Sequence, residues 1–350
     1  MATKLSGRLN VANIEALSSA FPEPDRVNED TWLVLESLEP PGYVIAAVID
    51  GAGTRLPIPP LEEMLKERYR GLTAAAFAAG TARTSLITQF AAHPDRSLSD
   101  ALLRANQDLR RAVADAIGGF SLELILEKAG LPPDEDPRQA RLALPACVIT
   151  LMRLNYSRQE LEYAHAGDTS LLEIRRNGAV ICHTSDQIGP YVQQTLRLAA
   201  SLRRTKNLPH IVDAVNLPEV RQMDIETGLR HNYVDAQGHT QTGEGSGVIN
   251  GLPELADYIE CGTLAIDPDQ TEGFCLLTDG LELLAPIEET ATETEERLRQ
   301  TGALLRTHGL RGLYEAVREM AELDPHHDQY PRIKTYDDAT GVFLRLQDSI

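Results

Sequence analysis

An α+β layered fold is what this sequence predicts, on three observations. Strand-like apolar runs stand near both ends of the chain, and long helical patterns lie between them. Strands and helices come in blocks, not in the strict alternation that builds a parallel sheet. The last apolar run, "ATGVFLRL" (Ala339–Leu346), is expected to return to a sheet built by the early strands. That closure makes 1–350 one domain, although the length alone suggests two.

The first expected strand is "TWLVLESL" (Thr31–Leu38), and the second lies in "GYVIAAVIDGAGT". Its continuous Val, Ile and Ala run reads as a strand covered on both faces. Asp-Gly after such a run is ordinarily a tight turn. "PPLEEMLKERYRGL" opens with prolines, which suit a first helical turn. "TAAAFAAGTARTSLITQFAA" (Thr73–Ala92) is rich in small residues and predicts a closely packed helix. In the next helix Leu102, Ala105, Leu109, Val113 and Ile117 recur at helical spacing. Ser97 or Ser99 caps its start and Gly118-Gly119 ends it.

Strands resume with "ACVITLMRL" (Ala146–Leu154), "ELEYAHAGD" (Glu160–Asp168) and "LLEIRRNG" (Leu171–Gly178), whose Asn-Gly end is a hairpin signal. From Tyr191 to Gly262 the pattern weakens to one helix and a glycine-rich loop. "FCLLTDG" (Phe274–Gly280) repeats the apolar run ending in Asp-Gly. A helical region from Glu288 to Leu323 follows, with a stripe of Leu310, Leu313, Val317 and Met320, stopped by Asp324-Pro325.

A net charge of −19 argues against a nucleic-acid partner held through its phosphates and against anionic membrane surfaces. No apolar run approaches the ~18 residues of a membrane span. The N-terminal stretch lacks the apolar centre of a secretory leader. A cytoplasmic, monomeric protein is expected. Cys147, Cys182, Cys261 and Cys275 are widely spaced, three of them in apolar surroundings, and read as buried free thiols.

Acidic residues gather at strand borders: Glu29 and Asp30 before the first strand, Asp50 after the second, Asp168 between two, Asp279 after a later one, and Asp337 and Asp338 before the last. Carboxylates brought together repel and raise one another's pKa values. A hard divalent cation relieves that repulsion through oxygen ligands. Two such ions can share a carboxylate and activate a water against phosphorus.

The motifs "NEDTWLV", "AAVIDGAGT", "AHAGDTSLLEI", "LLTDGLELL" and "DDATGVFLRL", in this order, resemble the PP2C family of metal-dependent serine/threonine protein phosphatases, in a bacterial form. The resemblance implies a four-layer sandwich of two antiparallel sheets flanked by helices, with a variable flap-like insertion at about residues 190–262. It implies two Mn²⁺ or Mg²⁺ ions, with a third weaker one, and hydrolysis of phosphoserine and phosphothreonine on a protein substrate by a metal-activated bridging water. Asp50 would bridge the ions and the Gly51 carbonyl would bind one of them. Asp279 and Asp337 would hold the first ion; Asp30, with Glu29, the second; Asp168, together with Asp279, the third. Arg26 is the candidate for holding phosphate.

Three departures accompany the likeness, one of them that "LPACVITL" stands where relatives show Gly-Thr-Thr. Ala52 stands where many relatives carry a His proposed as general acid, and Arg26 lies four residues before Asp30 rather than five. These keep a second reading open, a phosphatase-like scaffold that binds a phosphoprotein or partner without turnover. Asp338 competes with Asp337 as the ligand, and Asp337 fits the family motif better. His165 reads as a hydrogen-bonded residue near the site. His326, His327 and Asp328 read as a solvated loop rather than a metal site. "RRTKNLPH" (Arg203–His210) reads as a solvated helix end, with attraction of phosphorylated substrate as its alternative.

Overall fold

A computed structural model of the protein describes residues 11–20, 26–37, 42–69, 71–132 and 134–347. Leu38 of the first expected strand, Arg70, Pro133, and residues 1–10 and 21–22 of the stretch read for a leader lie outside them. In chain order the elements are β1 (Val11–Ser19), β2 (Thr31–Ser37), β3 (Tyr43–Ala52), α1 (Pro59–Arg68), α2 (Ala74–Ala92), α3 (Leu98–Ile117), α4 (Leu122–Lys128), β4 (Ala146–Asn155), β5 (Glu160–Ala166), β6 (Ser170–Arg175) and β7 (Val180–Cys182). Then come α5 (Gly189–Thr205), α6 (Ile211–Val215), α7 (Pro218–Thr227), β8 (Glu260–Ala265), β9 (Thr271–Leu277), α8 (Ala291–Leu323) and β10 (Ala339–Leu346). The strands form two sheets, in the orders β1-β10-β9-β6-β7 and β2-β3-β4-β5-β8. Every neighbouring pair is antiparallel.

The alternation of a strand explains the unbroken apolar run in β3. Val44, Ala46 and Val48 pack between the sheets, against Phe274, Leu276, Val342 and Leu344. Ile45, Ala47 and Ile49 point the other way, onto Phe77, Ala82, Leu86, Leu102 and Leu109 of α2 and α3. The buried alanines of α2 let this helix lie close to the sheet. Ser97 caps α3 by accepting from the Asp100 N–H, and Gly118 ends it in the left-handed region at φ 85°. The outer face of the other sheet, with Ile174, Leu277 and Phe343, is covered by Leu305, Leu310, Leu313 and Val317 of α8. The order is therefore helix, sheet, sheet, helix, the α+β sandwich that the sequence predicts. A separate small cluster joins α5 to α7 through Leu196, Ala199, Ile211 and Val220.

Several expectations need correction. Asp50-Gly51 is not a turn: β3 continues to Ala52, with Asp50 opposite Val148 and Gly51 opposite Cys147. The C-terminal strand does not join β2 and β3; it lies between β1 and β9 in the other sheet. β1 and β8 were not anticipated, and β7 only as the partner that the Asn-Gly hairpin signal after β6 implies. All three are edge strands with much of one face exposed, so none has a continuous apolar run. Only Cys147 and Cys275 are buried; Cys182 and Cys261 are exposed, and all four are free.

The long C-terminal helix is also broken. Gly309 has φ 66° and ψ −166°, a conformation open essentially to glycine alone. The Glu15 carboxylate of β1 reaches into the break and accepts from the Leu310 N–H at 2.9 Å. A Cβ on Gly309 would come within 2.5 Å of Glu15 Oε2. Gly309→Ala is therefore expected to cost about 1–3 kcal/mol of stability. Gly80 sits in α2 with open space where a Cβ would stand. Gly80→Ala is expected to stabilise by about 0.5–1 kcal/mol. Urea unfolding of the two variants checks the pair, and two shifts of the same sign would contradict it.

Candidate active site

Strand register carries the aspartates to one end of the sandwich. Thr31 pairs with Ile49, so the next step along the ladder sets Asp30 opposite Asp50. In the other sheet Gly341 pairs with Leu277, which places Asp279, just past β9, beside the start of β10. Asp337 and Asp338 lie immediately before that start. Asp168 sits where the chain passes from β5 in one sheet to β6 in the other. Gly280 allows the closest approach: a Cβ there would fall 1.8 Å from the Asp338 carbonyl oxygen.

A cavity of about 600 Å³ opens at this end, lined by Asp50, Gly51, Asp168, Asp279 and Asp337. Asp30 is buried behind them and accepts from Thr278 Oγ1 at 2.8 Å, a bond that ties one sheet to the other. The neighbouring Asp338 is also buried, and its Oδ2 accepts from the Glu29 N–H at 2.7 Å. Asp337 and Asp338 therefore have different surroundings. Asp337 faces the cavity, while Asp338 holds the chain segment that carries Glu29 and Asp30. Arg26 lies close enough to Glu29 for its charge to act there, and is not among the described residues that line the cavity.

The electrostatics follow from this crowding. Burial raises the Asp30 carboxyl to about 7, against the opposing hydrogen bonds from Thr278 and Asp50. Burial, then the charges of Asp186 and Glu282, raise Asp168 to about 8. Asp50 is raised well above its ordinary value by burial and by Asp30, Asp279, Asp168 and Asp337. Asp279 is raised by burial, Asp337 and Asp168, and relieved in part by Lys334. Burial raises the Glu29 carboxyl, against a hydrogen bond from Thr73.

Sequence reasoning passed over three charged residues here. Lys334 Nζ lies 2.7 Å from Asp337 Oδ2. Burial pulls its pKa down, and the charges of Asp337 and Asp279 more than reverse that. Glu282, held by Ser170 Oγ at 2.6 Å, and Asp186, which accepts from the N–H groups at the start of α5, both face Asp168. Signals existed in the spacing: Lys334 precedes Asp337 by three, and Glu282 follows Asp279 by three. The donor set is oxygen alone, with a surplus of negative charge over one lysine, which is the chemistry of a hard divalent cation rather than a soft one. Among the described residues, no three His, Cys, Asp or Glu side chains converge tightly enough to ligate one ion as they stand.

Other expected residues are placed as follows. His165 is fully buried, with Nδ1 2.9 Å from Thr150 Oγ1 and Nε2 in reach of the Gly167 and Ser185 carbonyls. The loop after α8 is not simply solvated: His327 is 1% exposed, and Asp324 accepts from the N–H groups of Asp328, Gln329 and Tyr330. His326 stacks on His210 at 3.8 Å. In the basic island Arg203 pairs with Asp328 and Lys206 with Glu219, so much of its charge is neutralised within the chain.

The family model for protein phosphatase 2C matches residues 24–316. No curated protein sequence is similar enough to count as a match. Among solved structures the chain is similar to the Mycobacterium tuberculosis serine/threonine phosphatase PstP/Ppp, at 14% identity over 97% of this chain and 100% of that one, with a TM-score of 0.47. It is similar to the catalytic domain of the serine/threonine protein phosphatase PstP in complex with two manganese ions, at 13% identity over 96% and 98% and a TM-score of 0.46. A third likeness is to RsbX in complex with magnesium, at 10% identity over 97% and 100% and a TM-score of 0.45. The family match runs through Asp30, Asp50, Asp168 and Asp279 and stops short of Asp337; by that match the chain belongs to the protein phosphatase 2C family.

Proposed function

We propose that this protein is a divalent-metal-dependent phosphatase acting on phosphoserine and phosphothreonine of a protein substrate. One observation carries the reading: aspartates from both sheets meet at one cavity, and burial, with their mutual charge added to it, raises Asp50 and Asp279 well above the ordinary range. A folded protein keeps such a self-repelling set where a cation relieves it. Asp50, the Gly51 carbonyl, Asp279 and Asp337 would hold one Mn²⁺ or Mg²⁺, and Asp50 with Asp30 and Glu29 a second. Asp168 would serve a third. The ions would supply Lewis acidity toward the phosphoryl oxygens and a water of lowered pKa as nucleophile.

The chain's own residues do the positioning. Thr278 fixes the Asp30 carboxylate by donating to it. Asp338 fixes the backbone of Glu29. Glu282 and Asp186 flank Asp168, and Lys334 balances Asp337 and Asp279. Ala52 offers no proton to a leaving alkoxide, so its protonation falls to another group. One observation favours a second reading, a binding protein without turnover: Lys334 already occupies one oxygen of Asp337.

Hydrolysis of a small aryl phosphate with Mn²⁺, Mg²⁺ or EDTA separates the two. Turnover with either metal, lost in EDTA, is expected. Asp50→Asn and Asp279→Asn should each lower turnover by about 10²-fold or more, the scale of a single electrostatic stabiliser of a transition state. Both variants should stay folded, because each removes repulsion from the metal-free cluster. Asp168→Ala should raise the metal concentration needed for half-activity while calorimetry still finds the first two sites.

Metal-free protein should also show a pH signature. Asp30 and Asp168 have folded pKa values of about 7 and about 8, above the ordinary 3.8. Below pH 4 they are protonated in both states and cost nothing. As pH rises from about 4 to about 8 the unfolded chain ionises first, so stability falls through that window. Adding Mn²⁺ should restore the loss most at the upper end. Thermal unfolding across pH, with and without Mn²⁺, measures it; a metal-free stability that rises over the same window would contradict the cluster's electrostatics.

A further inference from the structure

The cavity that the aspartates line also has a cationic wall. Most of those cations are engaged elsewhere. Arg55 pairs with Asp224 at 3.2 Å, Arg297 with Glu289 at 2.9 Å, Arg332 with Asp324 at 3.0 Å and Lys334 with Asp337 at 2.7 Å. Arg141 donates to the carbonyls of His231 and Asn232, and the exposed Arg221 to Asn216. Arg318 of α8 differs. Among the described residues no carboxylate lies within ion-pair reach of it.

Its guanidinium is nevertheless held firmly. Nη2 donates to the Asp337 carbonyl oxygen at 2.7 Å. The rings of Tyr314 and Tyr336 stand 4.9 Å from its Cζ, and the Tyr314 hydroxyl feels its charge. Nε is buried and has no hydrogen-bond partner. A planar fork fixed beside Asp337, on the lining of the cavity and with no carboxylate paired to it, is suited to a tetrahedral oxyanion.

We propose that Arg318 holds a phosphoryl oxygen of the phosphomonoester substrate in this cavity, a role that rests on the phosphatase reading above. It takes the place that the resemblance gives to Arg26, which lies by Glu29 and off the described cavity lining. Arg318, like Asp337, lies beyond residue 316, where the family match ends.

The test uses the full chain in Mg²⁺ and inorganic phosphate as the probe. Calorimetry should show phosphate binding to wild type weakened about tenfold or more in Arg318→Ala, with partial recovery in Arg318→Lys. KM for an aryl phosphate should rise in parallel, and more than in Arg26→Ala. Mg²⁺ affinity should stay within about twofold, since Arg318 is not a ligand. Unchanged phosphate affinity in Arg318→Ala, or a wild type that binds no phosphate, overturns the proposal. So does a fall in Mg²⁺ affinity equal to the fall in phosphate affinity, which would mean that Arg318 only props Asp337. The two readings fail separately. A wild type without turnover whose phosphate binding depends on Arg318 defeats the phosphatase and keeps the arginine. Turnover with phosphate binding indifferent to Arg318 does the reverse.

Discussion

The repulsion among the clustered aspartates is the constraint on which the rest of the structure turns. Asp50 feels Asp30, Asp279, Asp168 and Asp337 at once. Left to themselves, these groups would move apart into water. They are held by the two sheets, whose facing residues Val44, Ala46, Val48, Phe274, Leu276, Val342 and Leu344 bury apolar surface along the length of the sandwich. Burying one such side chain stabilises by about 1.5–3 kcal/mol, so several together outweigh the strain at the end. The hydrophobic contact and the charged cluster share the same strands. Neither sheet can shift without moving the carboxylates it carries.

Local bonds then decide which oxygen points where. Thr278 crosses from one sheet to Asp30 in the other. Asp338 is spent on the Glu29 backbone, which leaves Asp337 for the cavity. The two adjacent aspartates thus divide the work that their sequence leaves ambiguous: one braces the chain and the other faces the open space.

This division explains what could be read from sequence alone. β3, β4, β9 and β10 are covered on both faces, so they show as continuous apolar runs, and the acids at their ends stand out. β1, β7 and β8 lie at sheet edges, where half the side chains meet water, and their pattern fades into that of loops. The break in α8 was hidden for another reason. Gly309 lies between helix formers that keep the spacing on both sides, and its cause, Glu15, is almost three hundred residues away in the chain. The aspartates of the site were legible because strand ends mark them. Arg318 and Asp186 were not, since their place depends on how helices and loops pack against those ends.

The segment from α8 to β10 shows how such packing completes a site. It contributes Arg318, Lys334, Asp337 and Asp338 in close succession, all at the end where β2, β3 and β9 deliver their acids. A loose connection would place none of them. Asp324 prevents that: it accepts from three successive N–H groups, of Asp328, Gln329 and Tyr330, and pairs with Arg332. Arg332 in turn donates to the carbonyls of Ala321 and Asp324, closing the loop onto the end of α8. His327, buried in its centre, bonds to the Arg332 carbonyl. Several of the loop's backbone polar groups are thus satisfied from within it. Two residues past this knot comes Lys334, and three further on Asp337. A lysine and an aspartate fixed so close to one another give the negative cluster a partial counter-charge of its own. Any cation bound there would compete with Lys334 for Asp337, so the same loop that brings these groups together would also set how tightly such a cation is held.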